Sequence, residues 1–347
     1  MSRSRTLTTP KALAATGLLP EQELAGIAAV AERYAIGVTS FLAGRIDPDD
    51  PADPLRRMFV PSTDELVTTP DERPDPIGDD AHTPVPGIVH RYPDRVLLKP
   101  VAVCPVYCRF CFRREMVGPQ TRGTLSPAAL EKALTYVRDH ADVREVILTG
   151  GDPFMLSPER ARTLTDAIAA IPHVDVIRWH TRMPVADPER VTPGFADALR
   201  HPDKAVYVSI HINHVRELSV EARAAARRLA DAGISLLAQS VLLRGVNDSA
   251  DALADLMRAL VAAGIRPYYL HHPDLAPGTG HFRLSVAEGQ ALYAALRDRV
   301  SGLAVPHYVI DIPGGVSKAN AASSDVVETP DGKALRGRDG RLYPYED

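Results

Sequence analysis

From about residue 95 onward, short β-rich runs alternate with helical patterns that carry clear start signals, and this rhythm limits the folds open to the chain. The candidate strands are 96–103, 145–149, 174–179, 205–211, 235–242 and 266–271. They are almost continuously apolar, as strands are when a parallel sheet is covered on both faces. Between them, Ser126-Pro127, Ser157-Pro158 and Thr192-Pro193 each place a hydroxyl N-cap before a proline at the first helical position. Residues 216–232 and 249–263 supply two further helices, and Ser285 with Glu288 reads as a capping box for a last one. Six β-α units predict an α/β fold with helices outside a parallel sheet.

Residues with chemical potential then favour a barrel over a doubly wound sheet. Cys104 follows the first candidate strand, Gly150-Gly151-Asp152 the second and His180 the third; His211 ends the fourth and Asp274 follows the sixth. A barrel collects all those C-terminal ends on one face, as an active site requires. The expected architecture is a partial (β/α)6 TIM-like barrel over residues 86–311, with an N-terminal extension over 1–85 and a short tail over 312–347. Within the extension, Leu24, Ile27, Val30 and Tyr34 recur at helical spacing after Pro20, and nine of the thirty prolines fall between Pro48 and Pro86. That pattern predicts a small helical unit followed by an extended, wrapping segment. The tail, polar and Gly-rich, predicts a turn or hairpin with frayed ends.

Composition narrows the functional classes. With 347 residues, 45% of them hydrophobic and 24% charged, the chain can bury a sizeable core. A formal charge of −4 (40 − 44) offers no global positive field to a phosphate backbone, so nucleic acid is not an expected partner. No run approaches the roughly 18 apolar residues of a membrane span, and the N-terminus lacks the apolar centre of a signal peptide. A cytoplasmic protein without a membrane partner is expected.

All three cysteines lie in one stretch, Cys104-Pro-Val-Tyr-Cys108-Arg-Phe-Cys111, with the spacing C-x3-C-x2-C. Three thiols cannot all pair as disulfides, and the cytosol disfavours pairing. Thiolates at this spacing can converge from one loop on a soft metal centre and leave one position open. Structural zinc wants four protein ligands. A [4Fe–4S] cluster with one iron free of cysteine fits better.

At this point the sequence resembles the radical S-adenosylmethionine (SAM) superfamily, whose signature is C-x3-C-x2-C at the end of the first barrel strand. The resemblance implies that SAM occupies the open iron through its amino and carboxylate groups and yields a 5′-deoxyadenosyl radical on reduction. Gly150, Gly151 and Asp152 look like that superfamily's SAM-binding turn, where glycines permit close backbone approach. His211 and Gln239 resemble residues lining the SAM site, with core roles as the alternative.

Longer motifs resemble one branch, the lysine 2,3-aminomutase family: RYPDR from Arg91 to Arg95, CRFCFRR, LTGGDPFML, QSVLLRGVND from Gln239 to Asp248, PDLAPGTGHFR from Pro273 to Arg283, and DIPGGVSK from Asp311 to Lys318. They cover roughly residues 55–320. The resemblance implies a second cofactor, pyridoxal 5′-phosphate, attached to Lys318, and a desolvated lysine suits such attachment. Arg91 and Arg95 match positions suited to its phosphate, with Tyr92 beside them; surface salt bridges are the plain alternative. Arg113 matches the arginine that holds the amino-acid carboxylate, with Arg114 a possible substitute. Asp274 and Asp311 match the two aspartates that grip the distal ammonium of lysine, a buried cation that needs compensating charge. Singly, either aspartate could merely cap a turn or end a strand.

The implied activity is interconversion of L-lysine and β-lysine, with an electron donor such as flavodoxin or ferredoxin, in a homo-oligomer. Larger relatives carry extra cysteines for structural zinc; this chain has none to spare, so zinc is not expected. Two other readings remain at this stage: a β-lysine-forming enzyme dedicated to elongation factor P, and a non-catalytic iron–sulfur sensing protein.

Overall fold

The structure is a computed structural model that describes residues 6–118, 121, 123–330, 332–337 and 340–345. The apolar runs assemble into one nine-stranded sheet in unbroken sequence order. Its strands are β1 (Ile88–Tyr92), β2 (Arg95–Val101), β3 (Glu145–Gly150), β4 (Val176–Thr181), β5 (Ala205–His211), β6 (Ser235–Val241), β7 (Arg266–His271), β8 (His307–Asp311) and β9 (Lys318–Asn320). Strands β2 to β8 are parallel, and β1 and β9 run antiparallel at the two edges. The fold is a partial TIM-like barrel, as the rhythm predicted. A seventh parallel strand, β8 (HYVID), extends the six read from the sequence.

Helices α1 (Pro127–Asp139), α2 (Pro158–Ala169), α3 (Pro193–Leu199), α4 (Val220–Asp231), α5 (Ala250–Ala262) and α6 (Val286–Arg299) follow strands β2 to β7 in turn. Their starts are the capped ones: Ser126, Ser157 and Thr192 accept from the third backbone N–H beyond them at 3.2, 3.3 and 3.1 Å. Ser285 and Glu288 complete the capping box. Each such cap contributes about 1 kcal/mol. The main core lies between helices and sheet, where Val146, Leu148, Ile177, Val208 and Ile210 meet Leu164, Leu229, Leu253 and Leu256.

A second core belongs to the N-terminal extension. Leu24–Arg33 is helical, as its spacing predicted, with Ile27 and Val30 buried. These two, with Leu13, Leu42, Leu55, Met58 and Phe59, pack against Val106, Leu243 and Phe282 of the barrel loops, with Cys108 and Phe110 at the edge. The proline-rich part, a strap over residues 48–86, adopts short turns and the helix Pro54–Phe59. Beyond β9 the tail folds as a separate antiparallel meander of Val326–Thr329, Gly332–Arg336 and Leu342–Tyr345. Asp331, Arg338, Asp339 and the last two residues of that predicted tail lie outside the described residues. Among the described residues no helix is long and apolar enough to cross a membrane.

Candidate active site

The C-terminal ends of the parallel strands open on a cleft enclosing about 1060 Å³, part of it continuous with solvent. Predicted residues from both edges of the sheet line it: Arg91, Tyr92, Arg95, Arg113, His211, Gln239, Asp274, Asp311 and Lys318. Parallel pairing explains the convergence, because register holds His211 beside Gln239 and carries β7 and β8 to the same level. Lys318 arrives from outside that register, on the antiparallel strand β9 opposite Asp311.

Lys318 Nζ donates to both Asp311 oxygens, at 2.7 and 2.5 Å. Its backbone N–H donates to the Tyr92 hydroxyl at 3.0 Å, which fixes β9 against β1. The Gly314-Gly315 turn before it presses on the strap. Gly314 N–H donates to Pro76 O at 3.2 Å, and Gly78 and Gly315 both take positive φ, where L side chains are strained. A Cβ on Gly78 would fall 2.4 Å from Gly314 O, and one on Gly315 2.3 Å from Ile77 O, so glycine is required on both sides of this contact.

The two predicted aspartates differ electrically. Burial pushes Asp274 up to about 7, the Asp311 charge adds to that, and Lys318, Arg113 and Arg91 only partly oppose it. Burial also raises Asp311, but His271, 3.5 Å away, and Lys318 outweigh it and hold the carboxyl well below the usual range. The pair therefore carries between one and two negative charges near neutrality. The histidines of the same cleft stay neutral: burial, then the charge of Arg182, drives His211 down to about 3, and burial lowers His180 and His271 as well. Gln239 Nε2 lies 3.2 Å from His180 Nε2.

At the base of the cleft the Arg95 guanidinium stacks 3.8 Å from the Tyr92 ring centroid and pairs with Asp94 at 2.6 Å. Arg91 is buried between Asp79, at 3.0 Å, and Asp311, at 3.7 Å. Among the lining residues that escaped the sequence reading are His271, Arg178, paired with Glu145 at 3.0 Å, and the adjoining Tyr268 and Tyr269, whose hydroxyls lie 3.1 Å apart. Arg178 alternates inward along β4 with His180, and that period of two was the signal available for it.

The cysteine loop leaves β2 beneath the N-terminal extension. Cys104, Cys108 and Cys111 line one cavity of about 360 Å³ with Tyr34, Tyr107, Arg109 and Arg114. Backbone ties hold the loop to the extension: Tyr107 N–H donates to Gly37 O at 3.0 Å and Arg109 N–H to Met58 O at 2.9 Å. Gly150 and Gly151 come close to this loop's own backbone, with Gly151 N–H donating to Val101 O at 2.8 Å and no room for a Cβ on Gly151 beside Val103. Asp152 is fully enclosed, and its carboxylate accepts from Phe154 N–H, Thr181 Oγ1 and Arg182 N–H at 2.9, 2.7 and 2.8 Å. It faces protein rather than the cleft and locks the glycine turn to the end of β4.

Residues 98–257 match the model of the radical SAM superfamily. The chain is 38% identical over 332 residues to an L-lysine 2,3-aminomutase of Clostridium subterminale, covering 95% of this chain and 79% of the relative. The chain belongs to the lysine 2,3-aminomutase family. An L-lysine 2,3-aminomutase of Escherichia coli is 37% identical, covering 86% of each chain, and a glutamate 2,3-aminomutase of Clostridioides difficile is 32% identical, covering 95% of this chain and 78% of its own. The protein is thus a radical SAM aminomutase, an isomerase, and its superfamily implies a [4Fe–4S] cluster and SAM.

The aminomutase's own residues fit that cluster. Burial pushes all three thiols up, Cys108 to about 11, and Cys104 also feels the charge of Asp152 and then those of Cys111 and Cys108. Such thiols need a metal's charge to draw off their protons. Beside the loop, Arg182 has Nε and Nη2 buried without a partner, while its Nη1 donates to Glu217 at 2.8 Å. An unpaired buried guanidinium edge next to Cys108 and Cys111 fits an anionic group.

Proposed function

We propose that this aminomutase interconverts L-lysine and β-lysine and carries pyridoxal 5′-phosphate on Lys318. The observation that carries the substrate assignment is the pairing of Asp274 with Asp311 in the cleft that Arg113 also lines. A guanidinium and two carboxylates lining one cleft suit a guest that carries both a carboxylate and an ammonium. The glutamate side chain would bring a second carboxylate to that acidic pair.

Cys104, Cys108 and Cys111 would hold the cluster; Gly150, Gly151, His211 and Gln239 would line the SAM site, with Asp152 bracing the glycine turn. Arg91, Arg95 and Tyr92 would receive the phosphate of pyridoxal phosphate. When bound, the two cofactors supply the radical and imine chemistry that moves an amino group between adjacent carbons. The protein's part is positional. Arg113 fixes the carboxylate, Asp274 and Asp311 hold the distal ammonium, and the neutral histidines of the cleft add no positive charge of their own. Asp311 also holds the Lys318 ammonium in place through both carboxylate oxygens.

The deciding experiment is an anaerobic assay of reconstituted, reduced protein with lysine, glutamate and arginine in parallel. Conversion of lysine alone is expected. Conversion of glutamate or arginine without lysine would refute the reading of the acidic pair.

A further inference from the structure

The strap supplies a carboxylate to the site that neither the family motifs nor the cleft lining includes. Asp79 is fully buried. It follows Gly78, whose positive φ and close approach to Gly314 seat the strap on the turn that leads to Lys318. Its backbone N–H donates to Asp75 Oδ1 at 2.9 Å, which secures the turn locally.

Three cations of the barrel converge on this one carboxylate. Arg113 donates through Nε to Oδ2 at 2.7 Å, Arg91 through Nη2 to Oδ1 at 3.0 Å, and Lys99 Nζ lies 3.9 Å from Oδ2. The grip on Arg113 is directional, because a guanidinium is planar and holding its Nε edge aims the opposite Nη groups. Arg113 Nη1 lies 3.5 Å from Thr149 Oγ1, and the side chain lines the cleft. Asp79 does not reach the cleft and acts only through these partners.

We propose that Asp79 is the positioning residue that aims the Nη edge of Arg113 at the substrate α-carboxylate, making the N-terminal strap part of the specificity apparatus. This rests on the assignment of Arg113 as the carboxylate anchor. Through Gly78 and Gly314 the same strap turn also meets the turn that leads to Lys318, so one loop contacts both Arg113 and the Lys318 turn. Loss of the Asp79 charge would leave Arg113 free to swing toward Asp274 and unpaired beside Arg91 and Lys99.

The test is Asp79→Asn in the holoenzyme, with KM and kcat for lysine compared with the inhibition constant of 1,5-diaminopentane, which lacks the carboxylate. KM should rise at least about tenfold with a smaller change in kcat, the loss of one charge-assisted contact, while inhibition by the diamine changes less than about twofold. Asp79→Glu should restore most of the loss. In an Arg113→Gln background, Asp79→Asn should add less than about twofold, since residues of one network do not contribute additively. An unchanged KM, equal losses for lysine and the diamine, or fully additive effects would each overturn the proposal. If the wild type converts a different amino acid, the lysine reading fails by itself, and the same comparison is made with that amino acid and its decarboxylated amine.

Discussion

The barrel and the N-terminal strap are built by different physics. In the barrel, strands such as β4 and β5 bury apolar side chains in period-two register, and the helices outside start at hydroxyl caps. The strap has little regular structure and is secured by buried acids that meet barrel arginines. Glu65 is fully enclosed between Arg109, which donates at 2.9 and 2.6 Å, and Arg114, which also stacks 3.5 Å from the Tyr34 ring centroid. Asp53 holds Arg216 at 2.7 Å, Glu72 pairs with Arg283, and Asp79 holds Arg113 and Arg91. Arg109, Arg113 and Arg114 all belong to the cysteine loop and the residues just after it. The strap is therefore the counter-ion of the catalytic loop, and an irregular segment can be as firmly placed as a strand when its charges have only one place to go.

The largest effect expected is on the barrel side and on chemistry alone. Lys318→Ala should abolish conversion of lysine and covalent capture of pyridoxal phosphate on borohydride reduction, while the iron content and visible absorbance of the cluster persist. Capture that survives would remove Lys318 from its assigned role.

Next comes a change on the strap side, expressed as stability. Glu65→Gln leaves Arg109 and Arg114 buried around a neutral amide and should cost about 3–5 kcal/mol in denaturant unfolding, the range for breaking a buried pair by removing one partner. A loss below about 1 kcal/mol would show that apolar packing, not charge, holds the strap.

A pH series sharpens the contrast between Asp274 and Asp311. Asp274 titrates near 7 and Asp311 far lower, so the acidic pair loses charge as pH falls through 7. KM for lysine should rise as pH drops, approaching roughly tenfold per unit well below 7, because the ammonium is held best by the ionised Asp274. Asp274→Asn should flatten that dependence; an unaltered profile would place the titrating group elsewhere. The smallest effect is a control within the barrel: Ser126→Ala removes the α1 cap and should cost about 1 kcal/mol with no change in KM.

The barrel was legible in the sequence because its signals are local. Strands 205–211 and 266–271 end where the runs AVYVSIH and RPYYLH end, and the Ser-Pro and Thr-Pro starts fall at the caps. The strap was legible only as a proline-rich wrapping segment. Nothing near Asp79 in the chain distinguishes it from the neighbouring Asp75 and Asp80, and its partners lie 12 to 34 residues away. Strand β8 was missed for a related reason, since its pairing with β7 is a long-range fact.

The sequence by itself determined the β-α architecture, the three-thiol loop and the family, because apolar period, capping chemistry and motif spacing are written along the chain. Tertiary structure alone decided which acid neutralises which arginine, why Asp274 and Asp311 titrate so far apart, and how the strap turn meets the Lys318 turn. Burial and Coulomb interactions depend on distance in space, and a linear sequence does not carry that distance.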